Sequence, residues 1–237
     1  MEVVYTKHML INKFPYQKLN RKSVDGIRLY SCPDGSKLPS VTTILSQTEA
    51  KEKTIALENW RKRVGHVNAA AITKAAGQRG TKIHTFLENY MRTDSLGEIG
   101  TNPFSIESHT MANHIVANGL KDVTEFYGTE VNLYYPEMYA GATDCVGLYK
   151  NEIAICDFKQ TNKPKKKEWI NDYCTQLAAY ILAHDVLYNT TIKYGIIMMC
   201  DPTLTYQQWV LEGDELEKHK EIWWKKLDEY YTKKFGV

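Results

Sequence analysis

At 237 residues, with 43% hydrophobic and 24% charged content, the chain is long enough to bury a full core and too apolar to be an extended, disordered polymer. Its 30 Lys and Arg against 28 Asp and Glu leave a formal net charge of +2, so no whole-molecule field argues for a nucleic-acid partner and any such argument must be local. Five widely spaced cysteines (Cys32, Cys145, Cys156, Cys174 and Cys200) with no C-x-x-C pair exclude a disulfide framework and a zinc ribbon, and a reducing cytoplasm is the expected compartment.

The opening MEVVYTKHMLINKF has neither an apolar run nor an Arg/Ser-rich amphipathic pattern, and no later stretch reaches the ~18 apolar residues of a membrane span. A soluble, untargeted protein is expected. Within 1–40, the turn clusters SVDG and CPDGSK beside Tyr16 and Tyr30 predict a small β-hairpin extension. From 41 to 127 helical spacing dominates. Trp60, Val64, Val67 and Ala71 form one predicted stripe, Ile83, Leu87 and Met91 a second, and Val116, Leu120 and Val123 a third. From 128 onward the pattern turns to period two, predicting strands near 129–135, 140–149, 152–159, 193–200 and 205–211, with a helix near 167–188 between them. Leu216, Trp223, Leu227 and Tyr230 then mark a C-terminal amphipathic helix. The expectation is a single α/β domain over 1–237, with the helical region forming a wall or arch beside an α/β core.

The segment AGATDCVGLYKNEIAICDFKQ is the most informative. A hairpin turning at Lys150 and Asn151 pairs residues whose numbers sum to 301, which sets Asp144 opposite Asp157 and Ala142 opposite Lys159. Both carboxylates then share a face with Val146, Leu148, Ile153 and Ile155. Like charges opposed among aliphatics destabilise a sheet unless a proton or a cation lies between them, and a hard divalent metal is the simplest occupant.

Four blocks occur in order: RGTKIHTFLE (Arg79 to Glu88), GATD (Gly141 to Asp144), DFK (Asp157 to Lys159) and QLAAY (Gln176 to Tyr180). With PSVTTIL at Pro39 to Leu45 and Trp60, this set resembles the PD-(D/E)XK nuclease superfamily, specifically its RecB-like exonuclease branch, over about residues 39 to 211. The resemblance implies a restriction-endonuclease-like core, a mixed central sheet flanked by helices. It implies Asp144, Asp157, the Phe158 carbonyl and His84 as ligands of Mg²⁺ or Mn²⁺, one ion or two, with Lys159 acting on the attacking water. Glu88, Gln176 and Tyr180 are implied as supporting catalytic residues, and Arg79 and Thr81 as DNA contacts.

The basic turn TNKPKKKEW adds Lys163, Lys165, Lys166 and Lys167 as a sequence-independent hold on the phosphate backbone. Trp60, Tyr90 and Trp169 are candidate stacking residues. Iron-sulfur relatives have three clustered cysteines after the last block; here only Cys200 follows it, so no cluster is expected and Cys145 and Cys156 become buried hydrophobes on the reverse face of the hairpin.

The expected reaction is phosphodiester hydrolysis at DNA ends, in phage or bacterial recombination, repair or degradation, beside a single-strand annealing or binding protein. An endonuclease on the same scaffold and a non-catalytic nucleic-acid-binding module are the alternatives.

Overall fold

The computed structural model describes residues 10–236. The strands β1 (Asn20–Val24), β2 (Ile27–Ser31) and β3 (Lys37–Pro39) form a three-stranded antiparallel sheet, one strand more than the hairpin expected for this region. Its first turn is made at Asp25 and Gly26, both in the left-handed region with φ of 50° and 77°, as a two-residue hairpin turn demands.

Four helices follow: α1 (Val41–Gln47), α2 (Lys51–Val64), α3 (His66–Thr93) and α4 (Pro103–Asn118). The predicted stripe of Ile83, Leu87 and Met91 is fully buried along α3. The other two stripes do not each lie on a single helix. Gly65, at φ 88°, separates α2 from α3, so Val64 and Val67 sit on different helices and Val67 is 84% exposed. Val116, Leu120 and Val123 belong to α4, a 3-10 turn (Leu120–Asp122) and the next strand. The helix ends before Gly119, where any Cβ would collide with the Tyr206 hydroxyl.

The main sheet has the order β4 (Val123–Tyr135), β5 (Tyr139–Tyr149), β6 (Glu152–Gln160), β7 (Tyr194–Cys200), β8 (Tyr206–Leu211). It is mixed: β6 and β7 run parallel and every other neighbouring pair is antiparallel. A parallel pair needs a crossover, which α5 (Asn171–Tyr188) supplies. The fold is therefore α/β, a mixed five-stranded sheet with helices on both faces. Val146, Ile155, Ile197 and Met199 pack with α1, α5 and the C-terminal helix α6 (Gly213–Phe235). Cys145, Cys156, Phe158 and Met198 pack on the opposite face with α3 and α4. The two cysteines thus lie behind the hairpin face that carries Val146 and Ile155, and all five are buried and free.

The path between the layers matters for the site. Since α1 packs on one face of the sheet and the second half of α3 on the other, α2 and the first half of α3 must carry the chain around it. Helix α2 buries no residue, and the first half of α3 buries only Ala69. This arm is anchored by Lys53 to Asp172, at 2.5 Å, in the first turn of α5.

Candidate active site

The β5–β6 hairpin turns at Lys150 and Asn151, whose φ values of 50° and 61° make a left-handed two-residue turn. Five ladder pairs follow, from Tyr149 with Glu152 to Cys145 with Cys156, each summing to 301. The ladder stops one step before the two aspartates. From there β5 continues along β4, with Ala142 paired to Asn132, while Asp157 pairs with Ile197 of β7. Asp144 and Asp157 are next in register but are not a bridged pair, and Ala142 does not face Lys159 across a ladder as expected. Adjacent buried carboxylates repel, and the side chains use the divergence: Asp144 Oδ2 reaches across to accept from the Phe158 N–H at 2.6 Å.

His84, on α3, closes the gap from the helix side. Its Nε2 donates to the Phe158 carbonyl at 2.9 Å, and its Nδ1 lies 3.2 Å from Asp144 Oδ1 and 3.9 Å from Glu130 Oε1. Burial alone would push the imidazolium down, but the Asp144 carboxylate, helped by Glu130 and Asp157, raises it to about 10. The protonated ring supplies Asp144 and Glu130 with the positive charge that adjacent carboxylates need. Asp144, although burial works against its charge, is held below the usual carboxylate range by His84, Lys159 and the Phe158 N–H. Asp157 behaves oppositely. Burial is its largest influence, Lys159 lowers it and Asp144 raises it, and the balance puts it at about 6.

Lys159 forms an ion pair with Asp157 Oδ2, an atom with no hydrogen bond among the described residues. The ammonium also donates to Gln176 Oε1 at 3.3 Å and lies 5.0 Å from the Tyr173 ring centre. Gln176 in turn donates to the Tyr180 hydroxyl at 3.1 Å, so Gln176 and Tyr180, one helical turn apart on α5, form a relay that fixes the lysine head. Burial costs that ammonium charge, yet Asp157 and Asp144 raise its pKa above the ordinary lysine value.

Gly141 explains part of this arrangement. A Cβ there would meet the Tyr180 ring at 2.6 Å, so the glycine is the recess in which the ring sits. Gly141→Ala is expected to displace Tyr180, lower stability by about 1–3 kcal/mol and loosen the Gln176–Lys159 contact. Thermal melting together with the cleavage rate checks this, and a wild-type melting temperature with an unchanged rate would show that the ring has room to spare.

Glu130 is the residue that sequence reasoning missed. It stands opposite Asp144 in the β4–β5 register, where Thr129 pairs with Cys145 and Val131 with Thr143, but is itself unbridged and has φ of 49°. His84, Glu130 and Asp144 offer ligand atoms that lie within 4.8 Å of one another. The signal was available: summing residue numbers across the preceding hairpin, as for 144 and 157, sets Glu130 against Asp144. Glu130, Asp144 and Asp157 thus form a row across β4, β5 and β6.

The remaining candidates lie elsewhere. Glu88 is turned to Arg92, at 2.9 Å, rather than into the histidine-carboxylate cluster. Arg79 is 15% exposed and ties helices to sheet, bonding Gln160, Glu107 and Asn162. The Thr81 hydroxyl donates to the Gly77 carbonyl. In the basic turn, Lys163, Lys166 and Lys167 are exposed, Lys166 lies over the Trp169 ring, and Lys167 pairs with Glu215. The Lys165 backbone is held at both its N–H and its C=O by the Gln207 side chain. Trp169 is 59% exposed, whereas Tyr90 packs against the α3–α4 core.

No family model matches the chain. It is similar to mitochondrial genome maintenance exonuclease 1 of Xenopus tropicalis, with 29% identity over 209 residues covering 78% of this chain and 58% of that protein. The Homo sapiens protein of the same name is 27% identical over 208 residues, covering 83% and 59%. The chain therefore spans under two thirds of the length of these relatives. Among solved structures, its fold is similar to that of a putative exonuclease from Eubacterium rectale, with a TM-score of 0.50 at 12% identity over 68% of each chain.

Proposed function

We propose that this chain, which fits a RecB-like PD-(D/E)XK nuclease, acts over residues 1–237 as one domain that hydrolyses phosphodiester bonds from DNA ends with the help of Mg²⁺ or Mn²⁺. The observation that carries the reading is the row Glu130, Asp144 and Asp157, capped by His84 on one side and Lys159 on the other. The residues fit a hard cation: the Glu130 and Asp144 carboxylates and the His84 imidazole offer ligand atoms within 4.8 Å of one another, and the buried Asp157 Oδ2 next to them in register has only the lysine ion pair.

His84 Nδ1, Glu130 and Asp144 would hold an ion, with the Asp157 carboxylate beside them as a further ligand for one ion or two. The Phe158 carbonyl, expected as a ligand, already accepts from His84 Nε2, and that bond sets the tautomer that presents Nδ1 to the carboxylates. Such an ion would neutralise charge developing on the scissile phosphate and would make a nearby water more acidic. The side chains do the rest. Lys159, fixed by Gln176 and Asp157, holds a positive charge beside the carboxylates that would orient an attacking water. The Gln176–Tyr180 relay keeps that ammonium from swinging away. The exposed arm of α2 and the first half of α3, anchored beside α5, suits passage of a strand end more than docking of an uninterrupted duplex, which is why an exonuclease is preferred.

The setting proposed is DNA recombination, repair or degradation. The phage or bacterial cytoplasm stays an expectation of the sequence, since the relatives above bear a mitochondrial name. The test is digestion of end-labelled linear and closed circular DNA, single- and double-stranded, with Mg²⁺, Mn²⁺ or EDTA. Cleavage of linear DNA alone, abolished by EDTA, is expected; cutting of circles would make the chain an endonuclease, and no cutting of any substrate would overturn the reading.

Glu130 gives a prediction separate from turnover. Glu130→Gln should weaken Mn²⁺ binding, measured calorimetrically without DNA, by about tenfold or more, whereas Glu88→Gln, which removes only the partner of Arg92, should leave it nearly unchanged. Equal effects of the two would remove Glu130 from the ligand set.

A further inference from the structure

A cavity of about 950 Å³ opens beside the β4 end of the catalytic row, and Glu130, Glu88 and Ala142 are among its lining residues. Its outer wall is the segment 10–21, which is tied to β4 at two places. Near its start the Ile11 N–H donates to the Phe126 carbonyl at 2.8 Å, and near its end the Leu19 N–H donates to Asn132 Oδ1 at 2.8 Å. Between these anchors Tyr16 is braced by His184, at 2.9 Å, and comes close to the backbone of Gly128, where a Cβ would meet its ring at 2.7 Å. The strap is thus fixed in place, and Gly128 is what lets it lie this close to β4.

The charge of the wall is distinctive in a nearly neutral chain. Lys13, Lys18, Arg21 and Arg92 line the cavity, together with the acidic Glu88 and Glu130. Glu88 is paired with Arg92, so the carboxylate charge is concentrated at Glu130, where the metal cluster begins. Lys13 sits over the Tyr127 ring, at 4.2 Å, and donates to the Glu125-bound Tyr127 hydroxyl, which keeps its charge at the wall. Thr129, 8% exposed and also in the lining, has a hydroxyl with no hydrogen-bond partner among the described residues.

We infer that this groove is the track for one DNA strand on the far side of the scissile phosphate, with Lys13, Lys18 and Arg21 holding its backbone. The inference rests on the nuclease reading and deepens it by naming a binding segment that no sequence motif marked. Three observations converge. Cationic side chains suit a phosphate backbone, and the groove is continuous with the carboxylate row through Glu130. The Thr129 hydroxyl, buried in the groove lining with no partner among the described residues, is free to donate to a phosphate oxygen there. The topology also gives a direction: the catalytic row runs from β6 to β4, the basic turn continues from the end of β6, and the strap groove opens at β4. A strand can cross the site from one basic element to the other.

The test is binding of a dye-labelled single-stranded oligonucleotide in EDTA, read by anisotropy at several salt concentrations, for the wild type, Lys13→Ala/Lys18→Ala/Arg21→Ala, and the charge-reversed Lys18→Glu/Arg21→Glu. The double variant leaves the Lys13–Tyr127 contact intact and covers the case in which the triple variant melts early. Both should bind about tenfold or more weakly, and the triple variant should flatten the salt slope by about 2, at ~0.7 for each phosphate no longer neutralised on a single strand. Blunt duplex binding should change less. Folded variants with wild-type affinity and salt slope would overturn the groove, as would equal losses on single strand and duplex. Wild-type protein that cleaves DNA while these variants bind normally refutes the groove alone, and wild-type protein that cleaves nothing refutes the nuclease reading instead.

Discussion

Asp144→Asn and Asp157→Asn should each lower cleavage by about a hundredfold to a thousandfold or more, yet shift metal-free stability in opposite directions. Asp144 accepts from the Phe158 N–H and faces His84 and Lys159, so its carboxylate is held below its ordinary pKa. That stabilisation is present above the unfolded-state pKa of ~3.8 and fades as pH falls through the lower folded value. Asparagine forfeits it, and Asp144→Asn should lose on the order of 1–3 kcal/mol at neutral pH. Asp157 is raised to about 6, mainly by burial, so its ionised form costs stability. The cost is absent below pH ~3.8, grows between the two values and is complete above about 6. Asp157→Asn should therefore stabilise the protein in EDTA by on the order of 1–3 kcal/mol at pH 8, with the gain shrinking towards pH 4. Thermal melts of both variants from pH 4 to 8 measure this, and an Asp157→Asn protein less stable than wild type at pH 8 would refute the asymmetry. Symmetrical gains for both variants would be the result of two equivalent opposed carboxylates, an arrangement the structure replaces with one satisfied and one frustrated aspartate.

The second large effect separates chemistry from binding among the lysines. Lys159→Ala removes the one ammonium fixed against Asp157 and Gln176, and should slow single-turnover cleavage by about 10²–10⁴ while DNA affinity changes only modestly. Changing Lys163, Lys165, Lys166 and Lys167 together to alanine should weaken DNA binding and leave the rate at saturating DNA within a few-fold of wild type. Because Lys167 is already engaged by Glu215, the salt slope should fall by about 2 to 3, less than four unengaged lysines would give. The Lys165 peptide is held by Gln207 through backbone groups, so alanine there leaves the turn in place. Unchanged affinity and salt slope in the quadruple variant would make the run a solvated turn and leave the strap groove as the basic element on the DNA path.

What the sequence by itself determined is what depends on local period and on register. The β5–β6 turn at Lys150 and Asn151 fixes the sum of 301, because a two-residue turn admits one pairing, and this alone brings Asp144 and Asp157 side by side. The buried stripes of α3 and α6 follow from helical spacing, and the reverse-face burial of Cys145 and Cys156 from alternation along the strands. Gln176 and Tyr180 share a face of α5 for the same reason. The tertiary structure alone decided where each run ends and what meets across it. Gly65 breaks a stripe that reads as continuous, because periodicity does not register a single left-handed residue. Whether two adjacent carboxylates stay laddered or diverge depended on Phe158, His84 and the pairing of Asp157 with β7, contacts from elements far apart in the chain. Arg79 and Glu88 stand in the same block as His84, yet their charges went to Glu107 and Arg92, since an ion pair forms with whichever partner packing brings within reach. The strap over β4 carries no motif: its residues are ordinary one by one, and only the two anchoring hydrogen bonds and the small Gly128 beneath Tyr16 turn them into the wall of a groove.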